Sequence, residues 1–155
     1  MRRPGCRHLL LALVVGLAAW SLPGLGQTGA KNGEWRVYGG DEASTRYAPL
    51  DQINRETVKN LQIAWTWKFD NFGSTPGEVA SSETTPLVVN GVLYFTAGAR
   101  RFVVAADAGT GETLWIWRPD EGERFDRAPR KVHRGVSYWT DGKGDERIVY
   151  VTPGF

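Results

Sequence analysis

Cysteine is almost absent from this chain. Cys6 is the single one among 155 residues, beside one methionine and two histidines. No disulfide can form within the chain, so its stability must come from packing or metal. Neither a Cys-x-x-Cys pair nor a His-Glu-x-x-His run exists to hold zinc, and Gly-x-Ser-x-Gly and a phosphate-binding loop are missing as well. Apolar residues at helical spacing, as helical repeats require, are also lacking. Charge of one sign is not in excess either. Without residues 1–26, three of the nineteen bases go and all seventeen acids stay, leaving a net charge of −1. Nucleic-acid binding thus has no electrostatic support.

Residues 1–26 differ from the rest. Arg2, Arg3 and Arg7 form a basic head, Leu9 to Trp20 is apolar and uncharged, and Pro23-Gly24 breaks the run before "GLG". This is the pattern of a cleaved export signal, with cleavage after Gly26 or Ala30 equally defensible. The run falls short of the about 20 apolar residues that span a bilayer, and an uncleaved anchor is the competing reading. Cys6 precedes the apolar run, so it is not a lipid-bearing cysteine at a cleavage site. His8 lies in the same leader. The expected division is a signal peptide over 1–26 and one domain over 27–155, periplasmic or otherwise exported.

What the chain has in quantity is turns and tryptophan. "AWTWKF" at 64–69 returns as "LWIWRP" at 114–119, and "VLYFTAGA" at 92–99 returns as "IVYVTPGF" at 148–155. The displacements are 50 and 56 residues, which suggests one repeated unit of the length used by propeller blades and solenoids. Within a unit, short β-branched and aromatic runs alternate with turn residues. Leu87 to Val89, Val92 to Thr96, Phe102 to Ala106 and Thr113 to Trp117 read as four strands. Asn90-Gly91 is a two-residue hairpin turn, and "DAGTG" at 107–111 is a turn in which Asp107 caps backbone N–H groups. Four antiparallel strands in about 50 residues make a blade. Leu61 to Phe69 reads as the outer strand of a preceding blade, and Gly135 to Trp139 with 147–152 as the first two strands of a following one. "NRETVKNL" at 54–61 suggests one or two helical turns capped by Asn54, with Ile53 stapled on Val58.

The fold class expected is therefore all-β, a partial propeller of about two and a half four-stranded blades. A closed propeller takes about four to eight, so the chain is expected to be the front part of a longer protein. A small oligomeric β protein is the alternative. The four tryptophans at 65, 67, 115 and 117 are expected to pack blade on blade.

"AADAGTGETLW" at 105–115 matches the A-x-D-x-x-T-G-x-x-x-W pattern of quinoprotein dehydrogenases. "YGGDEASTRYAPLDQINRETVKNLQIAWTW" at 38–67, "ETTPLVVNGVLYF" at 83–95 and "RGVSYW" at 134–139 also resemble that family, in the same order. The resemblance implies an eight-bladed propeller and pyrroloquinoline quinone as cofactor. It implies that Glu83 and Arg134 contact that cofactor, a tricarboxylate with an ortho-quinone, to which a guanidinium is a suitable multiple donor. It implies oxidation of a sugar, polyol or alcohol by hydride transfer, with calcium as a Lewis acid. It also implies cytochrome c or ubiquinone as electron acceptor, and is compatible with peripheral membrane association. The catalytic base and calcium ligands come from later blades in the family, so no catalytic or metal residue is named, and the chain alone is expected to be inactive.

The chain departs from the family at Ala128 and Pro129, where methanol-type members carry adjacent cysteines, and at His133, where glucose-type members often have cysteine. This disfavours a methanol-type enzyme and favours a sugar or polyol substrate. His133 itself is expected to be a solvated loop residue. A non-catalytic propeller scaffold of the outer-membrane assembly type is the alternative function; it would have no use for Glu83 or Arg134.

Overall fold

The computed structural model describes residues 29–68, 82–98, 101–120, 122–123 and 133–152. The expected export signal over 1–26, Phe69, Ala128 and Pro129 lie outside them.

Four strands form one antiparallel meander in the order β1 (Leu87–Val89), β2 (Val92–Ala97), β3 (Phe102–Asp107) and β4 (Thr113–Trp117). The first hairpin follows from its turn: Asn90 and Gly91 take φ values of 50° and 76°, the left-handed pair that a two-residue connection needs. Val89 then faces Val92 and Leu87 faces Tyr94. The β3–β4 turn is made by Asp107, whose Oδ1 accepts from the N–H groups of Gly109 and Thr110 at 2.9 and 2.7 Å. These bonds, Thr110's first, hold the Asp107 carboxyl below the usual aspartate range. A register shift at Ala105/Ala106 marks a bulge against β4.

Phe95, Ala97, Val104 and Ala106 form the core, with Trp67, Leu93 and Ile116 packed against it. Nearly all of β3 is buried, as its run of apolar residues suggests, whereas the first half of β2 is only half-buried. A second hairpin joins β5 (Ser137–Thr140) to β6 (Glu146–Val149). Among the described residues the structure thus holds one complete blade and the first half of the next, an all-β partial propeller.

Two local expectations are corrected. Residues 61–68 pair with no strand among the described residues and meet the blade through their side chains, Trp67 Nε1 donating to Thr113 Oγ1 at 3.0 Å. The helical turns at 54–61 reduce to a turn and a 3-10 piece at Val58–Asn60. Asn54 does cap, its Oδ1 accepting from Glu56 and Thr57 N–H at 3.0 Å each. Ile53 and Val58 are 61% and 49% exposed, so no staple forms.

The tryptophan echo nonetheless has a physical counterpart. Trp67 meets Phe95 edge-on at 4.8 Å, and Trp117 meets Tyr150 edge-on at 5.5 Å. In both cases the second tryptophan of a pair touches an aromatic ring of the following unit. Trp65 lies on the β3–β4 turn, where its Nε1 donates to Ala108 O at 3.2 Å.

The leading segment is tied to the blade as well. Trp35 makes an antiparallel bridge with Val88, covering the outer edge of β1. Glu34, paired with Arg36, accepts from Asn90 N–H at 3.0 Å.

Candidate functional site

Glu83 stands just ahead of β1 and Arg134 just ahead of β5, the first strands of successive units. The two leading segments are joined by a backbone bond from Thr85 N–H to Arg134 O at 3.0 Å. Gly135 makes the approach feasible. Its φ is 123°, and a Cβ there would lie 2.9 Å from Thr85 O and 3.1 Å from Thr84 Oγ1.

This approach brings together the two residues singled out in the sequence. Arg134 Nη2 lies 3.3 Å from Glu83 Oε2. The side chains are 73% and 53% exposed, so the pair contributes little to stability, about 0–1 kcal/mol. Its exposure is chemically useful instead. A guanidinium held on one carboxylate still presents N–H donors to a second anion, and a carboxylate beside it can accept an N–H or O–H.

His133 is not the solvated loop residue expected. Its Nδ1 accepts from Gly135 N–H at 3.1 Å, its Nε2 faces Val151 O at 3.0 Å, and its ring stacks on Tyr150 at 4.6 Å. Burial holds its pKa below the ordinary histidine value; the Val151 bond opposes the shift and the Arg101 charge adds to it. Arg101 itself is buried, in the turn before β3, at a φ of 58°. Sequence reading gave no role to Arg101, Tyr150 or the Thr84–Thr85 pair. The glycine after Arg134 was the one local signal, since glycine beside a strand often marks a close backbone approach.

The donor set fits an anionic quinone cofactor: an accessible guanidinium beside a carboxylate, at the leading ends of two adjoining strands. Among the described residues no group of three or more His, Cys, Asp or Glu gathers to hold a metal.

Comparison with known proteins bears on the family of the chain. Residues 35–155 match the family described as PQQ: Glucose/ethanol/alcohol dehydrogenase, beta-propeller domain. The chain is 40% identical over 127 residues to the dehydrogenase subunit of an alcohol dehydrogenase (quinone) from Gluconobacter oxydans, covering 78% of this chain and 16% of that protein. It is 39% identical over 126 residues to a quinohemoprotein alcohol dehydrogenase from Comamonas testosteroni, covering 77% and 17%. The crystal structure of the quinohemoprotein alcohol dehydrogenase from Comamonas testosteroni superposes with a TM-score of 0.57 at 35% identity, over 74% of this chain and 16% of that one. The chain therefore spans about a sixth of the length of these relatives. With a family match over most of its length and a blade that superposes on a solved member, the chain belongs to the family of PQQ-dependent glucose/ethanol/alcohol dehydrogenase β-propellers.

Proposed function

We propose that this chain is the leading part of an exported dehydrogenase that oxidises an alcohol, polyol or sugar hydroxyl, with Glu83 and Arg134 contacting pyrroloquinoline quinone. The observation that carries the reading is the Glu83–Arg134 pair, assembled from two residues 51 positions apart at the leading ends of successive first strands. When bound, that cofactor would supply the hydride acceptor for oxidation of the carbinol carbon. Arg134 would bind a cofactor carboxylate or quinone oxygen, and Glu83 would orient the guanidinium and accept a hydrogen bond from a cofactor N–H. The catalytic base and the calcium ligands belong to parts of the protein outside this chain, as do the contacts that pass electrons to cytochrome c or ubiquinone. The basic head and apolar run of residues 1–26 support a periplasmic location. The alanine and proline at 128 and 129 favour a polyol or sugar over methanol.

The test is reconstitution of the full-length apo-protein with titrated pyrroloquinoline quinone at fixed calcium. Arg134→Ala removes a charge-assisted bond of about 1.5–3 kcal/mol, so half-reconstitution should need about 10- to 100-fold more cofactor. Reconstitution of Arg134→Ala at the wild-type concentration would refute the assignment.

A further inference from the structure

His133 has three contacts that define its chemical state. A backbone N–H can only donate and a carbonyl can only accept. Nδ1, which takes the Gly135 N–H, therefore carries no proton, and Nε2, which faces Val151 O, carries one. The ring is neutral, in one tautomer and one orientation, and Tyr150 stacks on its face with an interplanar angle of 22°. Tyr150 is in turn buttressed edge-on by Trp117 at the end of β4.

The consequence falls on Arg134. The peptide between Arg134 and Gly135 is held at both its polar ends, the carbonyl by Thr85 N–H and the N–H by the imidazole. Gly135 has no side chain to restrict it, so without the imidazole this peptide keeps only one tether. A guanidinium that must be ordered during binding binds more weakly than one already ordered, because the ordering cost is then subtracted from the affinity.

We propose that His133, as a neutral imidazole, is a positioning residue for cofactor binding: braced on the segment that follows β6, it holds the Arg134–Gly135 peptide and so keeps the Arg134 guanidinium beside Glu83 before the cofactor arrives. The inference rests on the reading that Arg134 contacts the quinone.

The role has a pH signature that a spacer would lack. A proton gained at Nδ1 abolishes the acceptor for Gly135 N–H and sets two donors against each other. The charged and titratable groups around the ring among the described residues are Arg101 from the turn before β3, the Arg134–Glu83 pair, and the Tyr150 phenol. Burial of the ring, with the Arg101 charge adding to it, disfavours the imidazolium, and Glu83 is engaged with Arg134. The folded-state pKa therefore lies below the ordinary histidine value of 6.5.

The experiment titrates pyrroloquinoline quinone into full-length apo-protein carrying His133→Phe, His133→Ala or His133→Asn, beside wild type and Arg134→Ala. Phenylalanine keeps the stack and loses both hydrogen bonds. Asparagine can accept the N–H two residues on, as in an Asx turn. His133→Phe and His133→Ala should bind about three- to tenfold more weakly, the worth of one lost hydrogen bond, and His133→Asn should stay within about twofold of wild type. From about pH 7 to 5, wild-type affinity should fall below pH 6.5 while that of His133→Asn changes less. Unchanged binding by His133→Phe, no recovery in His133→Asn, or parallel pH profiles for wild type and His133→Asn would each overturn the proposal. Should His133→Phe fail to fold, the pH comparison with His133→Asn decides. Wild-type-like binding by Arg134→Ala would overturn the cofactor reading and this inference with it; weak binding by Arg134→Ala with unchanged His133→Phe overturns the positioning role alone.

Discussion

Trp65 sits in a segment that has no backbone partner among the described residues, yet its ring lies on Gly111 of the β3–β4 turn. The contact makes a specific demand on residue 111. Its φ is 75°, and a Cβ there would come within 2.6 Å of two Trp65 ring carbons. Gly111→Ala therefore meets two costs. The left-handed backbone disfavours alanine by about 1–2 kcal/mol. The clash with the indole must be relieved by moving either the turn or the ring. If the ring moves, the bond from Nε1 to Ala108 O is lost, at about 0.5–1.5 kcal/mol. The expected loss in the full-length protein is about 2–3 kcal/mol, read from urea unfolding midpoints. A double-mutant cycle separates the parts. In a Trp65→Ala background only the backbone cost remains, so Gly111→Ala should cost about 1–2 kcal/mol there. Equal costs in the two backgrounds would show that Trp65 does not rest on this turn, and would refute the docking of residues 61–68 through their tryptophans.

Glu83→Gln should leave the melting temperature of the apo-protein nearly unchanged, because both partners of its ion pair are largely exposed; a loss above about 1 kcal/mol would mean the pair is structural. The lowered pKa of Asp107 means its carboxylate contributes stability above the usual aspartate value of 3.8 and loses it as pH falls through the folded value. Asp107→Asn should therefore flatten the acid limb of the stability profile, and an unchanged limb would refute the capping account. Residues 27–155 expressed alone should aggregate, since Ile63, Val151, Ile53 and Leu61 are 85%, 64%, 61% and 59% exposed. A monodisperse monomer with a sharp cooperative melt on size-exclusion chromatography and calorimetry would contradict this.

The blade was legible because its signals are local. Asn90-Gly91 can hardly be anything but a tight hairpin turn, and Asp107 with Thr110 and Gly111 closes its own loop within five residues. Once those turns are placed, the apolar runs between them have one way to pair, and the observed strands differ from the expected ones by a residue or two. Residues 61–69 carry the same composition as β4, but a strand needs an edge to bond, and composition says nothing about which edge lies alongside. The sequence predicted what its tryptophans touch and not what its backbone pairs with.

The site follows the same division. Glu83 and Arg134 were found through family resemblance; nothing in either residue's own surroundings announces the other. Their meeting depends on two leading segments touching across Gly135, and that glycine was visible without being read as a contact. His133 was misjudged for a related reason. Its acceptor role is local, two residues along, and fits a loop histidine. Its donor role depends on Val151, 18 residues away beyond the end of β6, and its ring stacks on Tyr150 and feels the charge of Arg101. A loop histidine becomes a fixed neutral ring only when the segment following β6 folds back against it. The Glu83–Arg134 pair is thus a property of the interface between two blades, and a substitution that loosens the packing of Trp117 on Tyr150 should reach Arg134 through His133 without altering either residue of the pair.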